Sequence, residues 1–204
     1  MSSFKVHELW PKPIFEDHIT PKSEWLSFVK RDVEYERMPL DNGDFTIDKY
    51  LLDKIPDLKN ELLKKVNLFT TKYLKIIDTE FYFTNSWIVR HQPGDWGQLH
   101  YHKNSLLSGV YYLDVFNNSG GISFVKGYNE QEVFPLAITP NYSENNYVSG
   151  REMDFKVENG KLLIFPSNLM HKIGKNESNK VRYSLAFNIF CRGTFGENET
   201  VLKL

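Results

Sequence analysis

Residues 98–112, QLHYHKNSLLSGVYY, hold the only closely spaced pair of histidines in the chain and run straight into an apolar, strand-like segment. Successive side chains of a β-strand alternate between faces, so residues two apart share one face. His100 and His102 therefore aim two imidazoles at one point, while Leu99 and Tyr101 turn away. That is a metal-ligand arrangement. A third ligand has to arrive from a distant strand. The best candidate is His171 in GKLLIFPSNLMHKIG, residues 160–174, where an apolar run ends in a polar turn. Eleven residues later stands Arg182, in the alternating segment VRYSLAFNIF.

The same period near two continues outward on both sides. FYFTNSWIVRH (81–91) reads as a strand, PGDWG (93–97) as a turn, and LLSGVYYLDV (106–115) as a further strand. A turn at Asn117–Gly121, then ISFVK, EVFPLAI, MDFKV, LLIFP and RYSLAFNIF complete seven or eight short strands, the count expected of a jelly roll. Residues 139–150 are polar and turn-rich, and suit either a lid or a plain surface loop. In the last strand Arg182, Ser184, Ala186 and Asn188 share a polar, small face, and Tyr183, Leu185, Phe187 and Ile189 an apolar one. The apolar face wants a helix over it, so Arg182 points inward. A buried guanidinium needs a partner. No acidic residue is assigned to it, which favours an anionic ligand, and a planar fork suits a carboxylate.

Before residue 79 the pattern is helical. Trp25, Leu26, Val29 and Val33 place a helix from Thr20 or Ser23 to about Arg37. Pro56 opens a second, with Leu58, Leu62, Val66, Phe69, Tyr73 and Ile76 or Ile77 on one stripe. Residues 1–19, Pro-punctuated and apolar, read as an arm packed on the core. The whole is read as a single domain: arm and covering helices over 1–78, a β core over 79–191, and a C-terminal tail over 192–204.

With 204 residues the chain can bury a sizeable core, and its 25 basic and 26 acidic side chains are interspersed. This argues against a nucleic-acid partner. No apolar run approaches the ~18–20 residues that cross a bilayer, and the start lacks a secretory h-region. One cysteine, Cys191, cannot make an internal disulfide. A cytoplasmic protein with no membrane partner is expected.

Four stretches together resemble the 2-oxoglutarate- and Fe(II)-dependent oxygenases, in the prolyl-hydroxylase-like branch: LWPKPIF at 9–15, HYHKNSLLSGVYYL at 100–113, GKLLIFPSNLMH at 160–171 and RYSLAFN at 182–188. The resemblance implies a mainly β, double-stranded β-helix fold (a cupin-like jelly-roll barrel) with the N-terminal helices packed on one sheet. It implies Fe(II) held by His100, His102 and His171. His102 stands where most of the superfamily has Asp or Glu, so a neutral imidazole replaces a carboxylate. Asp114 fits the spacing poorly as a substitute.

The resemblance further implies that 2-oxoglutarate chelates the iron, with its far carboxylate on Arg182, Ser184 and Tyr112 while Tyr111 points the other way. The dioxygenase reaction consumes O2, releases succinate and CO2, and hydroxylates a substrate of unknown identity, a peptide or protein being the suggestion. Asn104, Trp87 and Asn85 are placed on the substrate side, and His91 behind the metal ligands. Two alternatives stay open: a cupin-like three-His metalloenzyme that does not use 2-oxoglutarate, and a non-catalytic barrel that binds a small carboxylate or a protein partner. The N-terminal arm can dock on its own barrel or on a second copy, which leaves a homodimer open.

Overall fold

A computed structural model describes residues 5–39, 42–127, 141–144 and 146–204. Twelve strands form among them. β1 (Phe15–His18), β2 (Tyr35–Met38), β3 (Gly43–Thr46), β4 (Thr79–His91), β6 (Leu107–Asp114), β9 (Lys161–Pro166), β11 (Arg182–Phe195) and β12 (Leu202–Lys203) make an eight-stranded sheet. Its order is β1-β9-β6-β11-β4-β3-β2, with β12 on the end of β11. The smaller sheet runs β5-β10-β7-β8, from β5 (Gly97–His100), β7 (Ile122–Val125), β8 (Glu152–Phe155) and β10 (His171–Ile173). The expected jelly roll is present, in the form of two facing antiparallel sheets that do not close into a barrel. The strand expected at EVFPLAI lies outside the described residues, as do 139, 140 and 145 of the expected loop.

Two apolar layers follow from strand parity. On the outer face of the large sheet, Ile88, Tyr111, Leu162, Ile164, Leu185, Phe187 and Ile189 pack under the helices α1 (Ser23–Arg31) and α2 (Pro56–Asn67). On its inner face, Val110, Tyr112, Leu163 and Phe165 meet Ile122, Phe124 and Ile173 of the small sheet. A fully buried aliphatic or aromatic side chain contributes about 1.5–3 kcal/mol. Two filled layers therefore fix where the inner polar residues stand. Gly109 answers to this packing: a Cβ there would come within 2.3 Å of the Phe187 ring.

Three local readings change. α1 stops at Arg31, six residues short of the expected end, because Tyr35–Met38 pairs with β3 instead. The Tyr35 hydroxyl donates to Val29 O at 2.6 Å and so folds the chain back on the helix it has just left. The second helical stripe buries Leu58, Leu62, Val66 and Phe69 as expected. It then widens into a π-turn over Leu68–Tyr73, where the Thr70 and Thr71 hydroxyls bond back to the carbonyls of Val66 and Asn67, and Tyr73 and Ile77 are left exposed. Of the N-terminal arm, Phe15–His18 adds to the sheet beside β9 and Ile14 joins the inner layer, whereas Leu9 and Trp10 are exposed.

Candidate metal and carboxylate site

The pairing of β5 with β10 sets His100 directly opposite His171. In each, ring Nδ1 lies on the carbonyl two residues earlier, Gln98 O at 2.8 Å and Leu169 O at 2.9 Å. A carbonyl only accepts, so Nδ1 carries the proton and Nε2 is left with its lone pair. His102 arrives differently. β5 ends at His100, and His102 comes from the turn beyond it, with its backbone N–H on Ser167 O at 2.9 Å. Its ring lies nearly parallel to that of His171, at 5.2 Å and 6°. One ligand atom from each of the three histidines falls within 4.8 Å of the others. Two nitrogens on one metal, at ~2.0–2.1 Å each, can be no more than about 4.2 Å apart. A small adjustment would bring all three onto a single ion, and the donor set suits iron(II) as well as zinc.

Burial holds His171 down to about 3 and His102 to about 4, with the neighbouring His100 ring acting in the same direction. His91, buried and beside Arg182, is held down to about 3. Each folded pKa lies below the unfolded value near ~6.5, so the folded chain takes up these protons less readily than the unfolded one. Their contribution to stability is complete above about pH 6.5 and is lost as pH falls toward the folded values. At pH 5 the loss is on the order of 2 kcal/mol per histidine. The urea midpoint of the metal-free protein is therefore expected to fall markedly between pH 7.5 and 5.0; an unchanged midpoint would mean these imidazoles are not buried neutral.

Arg182 sits on the inner face of β11, 1% exposed. Its Nη1 donates to the carbonyls of Ser119 and Gly120, at 3.1 and 2.8 Å, and its Nη2 to His91 Nδ1 at 2.7 Å. His91 is its register partner on β4, so it belongs to the arginine rather than to the metal ligands. None of these partners carries a negative charge. Tyr112 faces the same interior from β6 opposite Ser184, while Tyr111 points into the helix-covered layer and donates to Ile19 O at 2.9 Å. Among the described residues, Tyr112 Oη, Arg182 Nε and Trp87 Nε1 are buried side-chain atoms without a hydrogen-bond partner.

The other expected residues divide. Trp87 stacks on His102 at 5.9 Å. Asn85 pairs in register with Asn188. Asn104 is an exposed turn residue with φ 55°, and Asp114 is taken by Lys30 at 2.6 Å. Asn188 and Ser108, linked at 2.8 Å on the inner face, form with Ser167 a buried polar cluster that sequence reading did not single out. Parity placed Asn188 on the inner face, but only the strand register sets it opposite Ser108 of β6 and Asn85 of β4.

The interior of the jelly roll thus holds three converging imidazoles that could take a metal ion, and a buried guanidinium whose hydrogen-bond partners carry no counter-charge. Residues 85–188, just over half the chain, match the family model described as "Putative 2OG-Fe(II) oxygenase". The chain belongs to the 2OG-Fe(II) oxygenase family and is an oxygenase-type enzyme, with iron(II) and 2-oxoglutarate as cofactor and co-substrate. Similar solved structures include HygX from Streptomyces hygroscopicus with nickel, 2-oxoglutarate and hygromycin B bound, at 13% identity and TM-score 0.58, covering 87% of this chain and 82% of that one. A Pseudomonas putida prolyl-4-hydroxylase is similar at 15% identity and TM-score 0.53, covering 87% and 92%. The epimerase SnoN from nogalamycin biosynthesis, in complex with Fe3+, alpha ketoglutarate and nogalamycin RO, is similar at 11% identity and TM-score 0.59, covering 89% and 81%. Likeness at such identities speaks for the fold. A search of curated proteins finds no match. No helix among the described residues is long and apolar enough to cross a membrane.

Proposed function

We propose that the protein hydroxylates an organic substrate, with His100, His102 and His171 holding iron(II) and Arg182, Ser184 and Tyr112 holding the far carboxylate of 2-oxoglutarate. The observation that carries this reading is the pair of buried atoms without partners, Tyr112 Oη and Arg182 Nε. A buried donor left unsatisfied costs roughly 1–3 kcal/mol. Both residues project from neighbouring strands on the inner face, and a carboxylate between them would satisfy both at once.

Bound at the three histidines, iron(II) supplies the oxidation by O2 that turns 2-oxoglutarate into succinate and CO2 and places a hydroxyl on the substrate. The chain's own part is position and exclusion. Small side chains at Ser184 and Ala186 leave room along β11 between the arginine and the histidines. The apolar layer of Tyr112, Leu163, Phe165 and Phe124 keeps water from that path. Three neutral ligands leave the metal's full double charge to be met by the dianionic co-substrate. A peptide or protein is the proposed class of substrate. Asn104, Trp87 and Asn85 would face it.

Anaerobic titration of the iron(II)-loaded protein with 2-oxoglutarate tests the reading. Chelation of the metal by the keto acid is expected to raise a visible charge-transfer band. Bound iron with no band at saturating 2-oxoglutarate would instead favour a three-histidine metalloenzyme that uses no keto acid.

A further inference from the structure

Granted the proposed reading of Arg182 as the seat of the far carboxylate, the way its guanidinium is held bears on what the seat requires. A guanidinium is a planar set of five N–H donors and accepts nothing. Nη1 of Arg182 donates to Ser119 O at 3.1 Å and Gly120 O at 2.8 Å, and Nη2 donates to His91 Nδ1 at 2.7 Å. Nε is left over, buried and without a partner.

His91 can play only one part in this bond. Because Arg182 only donates, Nδ1 must accept, so the imidazole proton sits on Nε2 and the ring is neutral. Strand register sets His91 and Arg182 opposite one another on β4 and β11, and the buried Asn176 anchors the backbone by donating from Nδ2 to His91 O at 3.0 Å. The carboxylates at this end of β4 are committed elsewhere. Asp95 accepts from Arg37 at 2.6 and 2.7 Å, and Asp44 accepts from Arg37 at 3.2 Å and from Arg90 at 3.0 Å.

The geometry points to His91 as the positioning residue of the carboxylate seat: through Nδ1 it fixes the plane of the Arg182 guanidinium, and being neutral it leaves the positive charge unbalanced for the ligand. Asparagine or aspartate at this position would put an oxygen where Nδ1 stands, the same number of bonds from Cβ. Only aspartate would also answer the charge. A carboxylate built into the wall would rival the carboxylate of the ligand, whereas a neutral acceptor orients the arginine without competing.

Anaerobic titration of the iron(II)-loaded protein with two keto acids tests this: 2-oxoglutarate, and 2-oxopentanoate, which has a methyl group in place of the far carboxylate. The ratio of the two affinities reads the carboxylate seat, whereas a general loosening of the fold lowers both together. The parent should prefer 2-oxoglutarate, and His91→Asn should keep most of that preference. His91→Leu, which has no acceptor, should lose about tenfold of it and His91→Asp roughly 10–100-fold, with 2-oxopentanoate bound much as in the parent. Equal preference in His91→Asn and His91→Asp overturns the proposal, and so does parental preference in His91→Leu. Should the variants not fold, nitrogen NMR of the parent's imidazoles decides. A neutral His91 ring protonated at Nε2 supports the proposal; a proton on Nδ1 at neutral pH overturns it. A parent that binds both keto acids alike overturns the assignment of Arg182 and this proposal with it, whereas a parent that prefers 2-oxoglutarate isolates the role of His91.

Discussion

His171→Ala is expected to abolish specific iron(II) binding. His171 is 3% exposed, its Nδ1 is committed to Leu169 O, and its ring is wedged against Phe165 at 5.0 Å, so no other side chain can rotate into its place. Loss of an outer-shell partner costs a metal site on the order of 10–100-fold; loss of a ligand from a set of three should cost more. In the parent, metal at a hundred times its dissociation constant raises stability by about 2.7 kcal/mol. That metal-dependent rise in melting temperature should vanish in the variant. Iron content and a metal-dependent shift equal to the parent's would rule out the three-histidine site.

The second large effect separates two residues that share a proposed ligand. Arg182→Met and Tyr112→Phe are both expected to weaken 2-oxoglutarate binding, the first by more than about 100-fold and the second by roughly tenfold, as befits loss of hydrogen bonds to a charged group. Their effects on the unliganded protein should be opposite. Arg182 fastens the turn at Ser119 and Gly120 to β11 and holds His91, so its loss strands two buried acceptors and a half-buried one. The expected cost is roughly 3–5 kcal/mol, similar to breaking a buried ion pair. Tyr112→Phe removes a hydroxyl that has no partner, and should stabilise the unliganded chain by about 1 kcal/mol. Urea melts with and without 2-oxoglutarate read both quantities. A Tyr112→Phe protein that is less stable yet binds 2-oxoglutarate as the parent does would show that the hydroxyl is not kept for a carboxylate.

These residues also show what could be read from the sequence. Strand parity suffices to send Tyr111 and Tyr112 to opposite layers and to put Arg182, Ser184 and Asn188 on the inner face. It depends only on alternation within one strand. The partnership of Arg182 with His91 depends on register between β4 and β11, which no local pattern states. His102 is a mixed case: alternation aims it at His100, but the strand ends first, and a turn anchored at Ser167 does the aiming. The helix expected as far as Arg37 failed because Val33 continues an apolar stripe that Tyr35 abandons. Only the hydrogen bond to Val29 O and the hairpin with β3 show why.

The histidines project from the small sheet and the turn beside it, whereas Arg182, Ser184 and Tyr112 belong to the large one. Among the described residues no backbone ladder joins the two sheets. On the proposed assignment, a co-substrate held at one end by a metal on the histidines and at the other by Arg182 would therefore act as a rivet through both walls. Without it, the two sheets meet through their apolar layer and through hydrogen bonds at the turns, such as those of Arg182 to Ser119 O and Gly120 O; a ligand held at both ends would add a tie across them. Turnover to succinate, one carbon shorter, would then leave a rivet too short to reach both walls, and the proposed chemistry would itself loosen the grip that product release requires.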